Sequence, residues 1–362
     1  MFTFSVDARE LFAERRRQFR GWGVPDEVIE AVESRVTGVW EDGPGGWTTE
    51  WCRQAGELEA QERWLDAALT YGAARFPCLA TAARVAAYER QLAAFARAID
   101  RAPDGTVRQE LVPVTYRETR LALPVHRYPS PQARARATLL LTGGVDTWKV
   151  ELHRMATAFQ QLGELDVVVF DMPGTGECDI ALAPDADVVY TQVAEAVRRP
   201  GRPVGVMGIS FGGMWAAKLA LRRQVDFAVD LGGPIGAQHS GPRRLTLPNG
   251  MAGIVAHALR LDAFPEPDEL PAILDGFSLA GQGLLGPDRR PAPLLVVNGT
   301  DDVYVPTADS TVFEQYAEAE VHLVPGAGHC AAERITDVVA QAITWMTGQI
   351  TRITGPTAAP AP

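Results

Sequence analysis

Lysine is nearly missing from this chain of 362 residues: Lys149 and Lys218 are the only two, and arginine supplies the rest of the 34 basic residues. That bias, with the high alanine content, reads as GC-rich coding background. Basic charge is also outnumbered. Against 45 acidic residues it leaves a formal net charge of -11, so the chain lacks the clustered Lys and Arg that a nucleic-acid surface needs. Docking on an anionic membrane is opposed for the same reason. The four cysteines, Cys52, Cys78, Cys178 and Cys330, are far apart and form no CxxC, which excludes the common zinc spacings and a disulfide framework. No run approaches 18 consecutive apolar residues. The opening MFTFSVDARELFAERRRQF has no apolar signal region ahead of a small-residue cleavage site. A cytoplasmic protein is therefore expected. No Walker spacing and no GxGxxG opening a helix is present, so nucleotide binding is not expected. No cofactor and no metal are expected. No segment repeats at a fixed period.

What is there is an ordinary globular composition, 46% hydrophobic and 22% charged, long enough for about two domains and a large core. Residues 1–105 read as a helical domain. Asp7 to Phe19 is amphipathic, and Pro25 can open a second helix. After the breaker Gly43-Pro44-Gly45-Gly46, Thr49 to Tyr71 and Leu79 to Ile99 carry apolar spacing near 3.6, separated by Pro77. From Val107 the pattern changes. Val107 to Tyr116 and Leu121 to Tyr128 read as an antiparallel hairpin. Short apolar runs then alternate with helix-length segments. The predicted strands are Ala137–Thr142, Asp166–Asp171, Pro203–Gly208, Phe227–Leu231, Pro293–Asn298 and Val321–Val324. This alternation implies an α/β fold over 106–350, a mostly parallel sheet with helices on both faces. Residues 235–290, with a helical piece at Ala252–Leu261, interrupt it as a lid-like insertion. The Pro/Ala-rich stretch within 351–362 reads as a disordered tail.

The strongest chemical signal is Gly208-Ile209-Ser210-Phe211-Gly212. A GxSxG between an apolar strand and a helical run is a nucleophile elbow: a tight turn exposes the serine, and the helix start offers free N–H groups to an oxyanion. A serine hydroxyl needs a base and an orienting acid. His329, in Pro325-Gly326-Ala327-Gly328-His329 after the last predicted strand, is placed to be the base. Among the other histidines, His153 or His239 could face a pocket, and His322 reads as surface or packed. Asp302, in Asn298-Gly299-Thr300-Asp301-Asp302, is the expected acid; Asp301 reads as a turn cap, and Asp230 is an alternative at the end of the preceding strand. The order Ser210, Asp302, His329 is that of the α/β-hydrolases. The expected oxyanion donors are the N–H of Phe211 and that of Gly144 or Val145 in the loop after Ala137–Thr142. Asp171-Met172-Pro173-Gly174-Thr175-Gly176 is taken as a structural loop. Trp22 and Trp51, with Trp40, Trp47 and Trp64, could wall a pocket for a flat ring or pack between helices. Tyr304 could be a pocket or a surface residue. Asp146 and Glu151 are expected to fix the oxyanion loop, with Asp146 also a candidate for substrate contact.

On these motifs the chain resembles the α/β-hydrolases over about residues 106–350. More narrowly, Thr142-Gly143-Gly144-Val145-Asp146-Thr147-Trp148-Lys149-Val150-Glu151 is similar to the GG-x-D-x-x-K-x-E stretch of a subgroup with a helical N-terminal domain, which includes the 2,6-dihydroxypseudooxynicotine hydrolases, the fungal heptaketide hydrolases and the FrsA-like esterases. That resemblance implies a cofactor-independent serine hydrolase cleaving a C–C bond in a β-diketone-like aromatic or polyketide substrate through an acyl-serine. The same three residues would equally serve a carboxylesterase or an acyltransferase. A non-catalytic binding protein is the reading from another class, and it has no need of all three residues. The expected partner is a small-molecule substrate. Apolar faces on the N-terminal helices suggest a homodimer.

Overall fold

The computed structural model describes residues 1–103, 106–131, 135–237 and 247–355. Five helices come first: α1 (Ala8–Trp22), α2 (Asp26–Glu33), α3 (Trp47–Ala60), α4 (Trp64–Arg75) and α5 (Ala82–Asp100). Asp7 starts α1 by accepting the N–H groups of Arg9 at 2.9 Å and Glu10 at 3.0 Å, and Gly23 ends it at φ +113°. The single run expected over Thr49 to Tyr71 is in fact two helices. Between them Glu62 adopts φ +59°, and the Arg63 N–H turns back to the Leu58 carbonyl at 3.0 Å. Neither Gly nor Pro marks that break, so the apolar period runs through it unbroken.

The aromatic residues of these helices pack on one another. Trp51 is fully buried, with Phe12, Phe19 and Trp47 rings 5.4–6.0 Å from it. Trp22 is 5% exposed and sits against Phe19 and Phe76. Of the two readings open for Trp22 and Trp51, this burial favours packing between helices over walling a substrate pocket. Burying such large rings is worth most where water is excluded all round, and both sit in the core of the helical region.

The sheet follows. Its strands are β1 (Arg108–Tyr116), β2 (Thr119–Tyr128), β3 (Ala137–Thr142), β4 (Leu165–Phe170), β5 (Val204–Ile209), β6 (Phe227–Leu231), β7 (Leu294–Gly299) and β8 (Ala319–Val324). They lie in the order β1-β2-β4-β3-β5-β6-β7-β8. The β1–β2 hairpin is antiparallel, and β2 joins β4 antiparallel; every later pairing is parallel. The crossovers carry α6 (His153–Leu162), α7 (Asp187–Val197) and α8 (Phe211–Leu221). Then come α9 (Met251–Ala258) and α10 (Glu269–Asp275) in the insertion, α11 (Thr307–Thr311), and α12 (Ile335–Thr354).

Strands β3, β4, β6 and β7 are buried along their whole length, as strands covered on both faces must be. The pleat divides their side chains between two cores. Leu139, Leu141, Val167 and Val169 meet Phe159 of α6 and Met346 of α12. Leu140, Val168 and Val206 share a core with α7, α8 and the aromatic residues of α1–α5. The helical region shares this core, while its α1 reaches the loops after β3 and β7 and its α5 sets Phe95 against His126 of β2 and His153 of α6.

Residues 351–354, expected in the tail, complete the last turn of α12; positions 356–362 lie outside the described residues. So does His239. Among the described residues no helix is long and apolar enough to cross a membrane.

Candidate active site

Every crossover leaves the sheet from the carboxyl end of a parallel strand, so the loops after β3, β5, β7 and β8 gather at one edge. Ser210 ends β5 at φ +55°, ψ -124°, a conformation that costs about 1–3 kcal/mol for a non-glycine residue. Two hydrogen bonds hold it there: its N–H donates to the Leu231 carbonyl at 2.7 Å, and the Gly213 N–H donates to its carbonyl at 2.7 Å. The turn is so tight that a Cβ on Gly208 would lie 1.8 Å from the Gly212 oxygen. This is why glycine precedes the serine by two.

His329 begins the turn after β8. Its Nε2 lies 2.9 Å from Ser210 Oγ and its Nδ1 lies 2.7 Å from Asp302 Oδ2. The turn that presents it is strained: Cys330 and Ala331 follow at φ +57° and +47°. Cys330 anchors that turn, donating its N–H to Asn298 Oδ1 at 3.0 Å and its Sγ–H to the Leu231 carbonyl at 3.2 Å. One carbonyl at the end of β6 thus steadies both the serine and the histidine turn.

Asp302 is saturated with donors. Oδ1 accepts the N–H groups of Tyr304 at 2.8 Å and Val305 at 3.1 Å, and Oδ2 accepts Asn298 Nδ2 at 2.8 Å besides facing His329. Burial would raise its pKa, but His329, Asn298 and the Tyr304 N–H outweigh burial and lower it. Asp301 is exposed and takes the Thr300 hydroxyl at 2.8 Å. Asp230 is fully buried beneath the elbow, accepting the Gly233 N–H at 2.7 Å. Burial pushes its pKa up to about 7. Of the three aspartates, only Asp302 holds His329.

The loop after β3 closes over the serine. A Cβ on Gly144 would meet Ser210 Cβ at 2.9 Å and Oγ at 3.2 Å, so only glycine lets the backbone come this near. Among the described residues the N–H groups of Phe211, Gly144 and Val145 donate to no protein acceptor. Phe211 opens α8, whose first N–H groups have no intrahelical partner.

Behind that loop lies a buried ionic network. Lys149 Nζ donates to Asp171 Oδ2 at 2.7 Å and to Glu177, while its backbone N–H donates to Asp171 Oδ1 at 2.7 Å. Burial disfavours the Lys149 ammonium, but the two carboxylates outweigh it and raise its pKa. Glu151, fully buried, accepts the Trp148 N–H at 2.7 Å, Gln91 Nε2 at 2.7 Å and Arg75 at 3.0 Å.

Asp146 forms an ion pair with Arg15 at 3.0 Å. The Tyr304 ring lies edge-on to His329, centroids 5.3 Å apart, and its hydroxyl donates to Glu14. His153 is in the core under Phe95, with Nδ1 3.0 Å from the Tyr128 hydroxyl; burial pushes its pKa down to about 4. Asn298, Glu14 and Arg15 are the site neighbours that sequence reasoning missed. The polar Asn298 at the end of an otherwise apolar strand is the one signal that could have found any of them.

Among the described residues no group of three or more His, Cys, Asp or Glu is arranged to hold a metal. A family model described as "Esterase FrsA-like" matches residues 26–350. No curated protein matches the chain. Among solved structures the chain is similar to AbyA5, with TM-score 0.76 and 20% identity over 96% of this chain and 95% of that one. It is similar to the 2,6-dihydroxy-pseudo-oxynicotine hydrolase, with TM-score 0.75 and 17% identity over 96% and 98%. The thermostable carboxylesterase EstE1, cloned from a metagenomic library, aligns with TM-score 0.52 and 16% identity over 85% and 98%.

Proposed function

The chain belongs to the FrsA-like esterase family, and from that premise we propose that it is a serine hydrolase with Ser210 as nucleophile, His329 as general base and Asp302 as orienting acid. The observation that carries this reading is the unbroken line of contacts from Ser210 Oγ through both nitrogens of His329 to Asp302, at 2.9 and 2.7 Å. His329 takes the Ser210 proton as Oγ attacks a substrate carbonyl carbon. The N–H groups of Phe211 and of Gly144 or Val145 receive the oxyanion. The imidazolium, oriented by Asp302, gives that proton to the leaving group as the bond to it breaks, leaving an acyl-serine. Water, deprotonated by His329, then releases the acid.

The finer proposal concerns the leaving group. A carbon leaving group needs a second carbonyl or a phenol ring to hold the electron pair, so the C–C reading requires a β-diketone-like aromatic or polyketide substrate. The full-length likeness of fold to a 2,6-dihydroxy-pseudo-oxynicotine hydrolase supports it. The family description supports the second reading, an esterase or an acyltransferase in which an alcohol or amine replaces water.

Intact mass after treatment with a fluorophosphonate tests the nucleophile. A single adduct on the wild type and none on Ser210→Ala is expected. No adduct on the folded wild type would turn the reading toward a binding protein. Product masses from paired aryl esters and aryl β-diketones then separate the two leaving groups.

Burial disfavours a protonated His329, but the Asp302 carboxylate against its Nδ1 outweighs burial and raises the imidazole above its ordinary 6.5. Only the neutral ring can accept the Ser210 proton. Activity is therefore lost as pH falls through this raised pKa. A kcat/KM profile for an aryl ester from about pH 5 to about pH 10 should show its acid limb centred above 6.5. A limb centred at or below that value would show that Asp302 does not hold the protonated ring.

A further inference from the structure

Helix α1 sends side chains to all three loops that surround Ser210. Arg15 Nη1 forms an ion pair with Asp146 at 3.0 Å, and Gln18 Nε2 donates to Thr147 Oγ1 at 2.8 Å. Both partners lie in the loop after β3. Glu14 accepts the hydroxyl of Tyr304, in the loop that carries Asp302. Arg17 pairs with Glu333 at 2.9 Å, and Glu333 in turn accepts the N–H of Gly328, the residue before His329, at 3.0 Å.

These contacts are unequal. The Arg17 and Glu333 side chains are 66% and 34% exposed, so solvent screens their pair and it contributes little. Arg15 and Asp146 have side chains only 8% and 10% exposed. Arg15 also lies 3.3 Å from Glu14 and stacks over the Phe76 ring at 5.4 Å. It therefore couples the Asp146 and Tyr304 contacts within one guanidinium's reach. Asp146 stands two residues beyond Gly144, whose backbone is pressed against Ser210. A shift of Asp146 is passed to the N–H groups that face the oxyanion, and misplacing such donors by an ångström costs rate far more than ground-state binding.

We propose that Arg15 is a positioning residue: through Asp146 it sets the oxyanion loop against Ser210, and through Glu14 and Tyr304 it registers that loop to the one carrying Asp302. The helical region is then part of the catalytic site rather than a cover for it. This rests on the hydrolase reading above.

The test must separate positioning from folding. Removing Arg15 alone strands a buried carboxylate and destabilises the fold. Replacing both partners by apolar residues of similar size, Arg15→Met with Asp146→Leu, is often neutral for stability. The expected double variant melts near the wild-type temperature and is still labelled at Ser210 by a fluorophosphonate. Its kcat for a p-nitrophenyl ester, per labelled site, falls at least about tenfold while KM moves less than about threefold. Arg15→Lys, which keeps the charge but loses the fork, should fall between. Arg16→Ala, on the face of α1 turned to Glu30 and Glu33, should match the wild type. A double variant with kcat per labelled site within about twofold of wild type overturns the proposal. An unlabelled wild type would instead overturn the hydrolase reading, so the two failures are distinguishable.

Discussion

Asp302→Asn is expected to lower kcat by about 10⁴, at a stability cost of about 1–3 kcal/mol for the buried Asn298 amide it leaves without an acceptor. The reason lies in the donors around that carboxylate. Oδ1 faces two N–H groups, those of Tyr304 and Val305, so the asparagine oxygen must take that place. Its NH₂ group then falls where Oδ2 was, facing Asn298 Nδ2 and His329 Nδ1. Two donors cannot face a third, and the Asn298 amide and the imidazole must both give way. His329 answers by presenting an unprotonated Nδ1, which places its proton on Nε2. In that tautomer the ring cannot accept the Ser210 proton. The check is kcat on an aryl ester together with the fluorophosphonate labelling rate, and both should drop in parallel. A loss of less than about tenfold would show that Asp302 does not orient the base.

Arg75→Met is expected to destabilise the fold by roughly 3–5 kcal/mol, because it leaves a buried carboxylate uncompensated. Arg75 is fully buried, its guanidinium stacked on the Trp148 ring at 3.4 Å and bonded to Glu151 at 3.0 Å and to the Asp146 carbonyl at 3.2 Å. Its loss leaves Glu151 with only Gln91 and the Trp148 N–H. Against a total stability of roughly 5–15 kcal/mol, that is a large fraction. The measurement is the urea midpoint at unchanged slope. Pairing the change with Glu151→Leu should recover most of the loss, since no charge then remains to be solvated. If Arg75→Met leaves the midpoint where it was, the ionic account of this loop is wrong.

The parts of this site that were legible in the sequence are those whose geometry is local. Ser210 is announced by the glycines its own turn requires, Asp302 follows a short apolar strand, and His329 follows a short alternating one at the turn Pro325-Gly326-Ala327-Gly328. The sheet was legible for the same reason: β3 and β6 fall on the residues expected, and the other strands within two residues. The breaks that no glycine or proline marks, as at Glu62, were not legible. Nor was the fate of the tryptophans, since one aromatic stripe suits a pocket wall and a helix interface alike. Glu14 and Arg15 were hidden for a different reason. They lie on an ordinary charged amphipathic helix, and what distinguishes them is which distant loops they touch.

That distance bears on how the chain reaches its folded state. Helix α1 finds Asp146 only after 131 further residues, Tyr304 after 290 and Glu333 after 316. The tie of α1 to the acid loop waits for Tyr304, and its tie to the histidine turn waits for β8 and Glu333 beyond it. Contacts of such sequence separation carry a high closure entropy and form late. The ties of α1 to the site loops are thus among the last contacts to form, and enzymatic competence should appear as a slow final phase of refolding, after the sheet has already acquired its secondary structure.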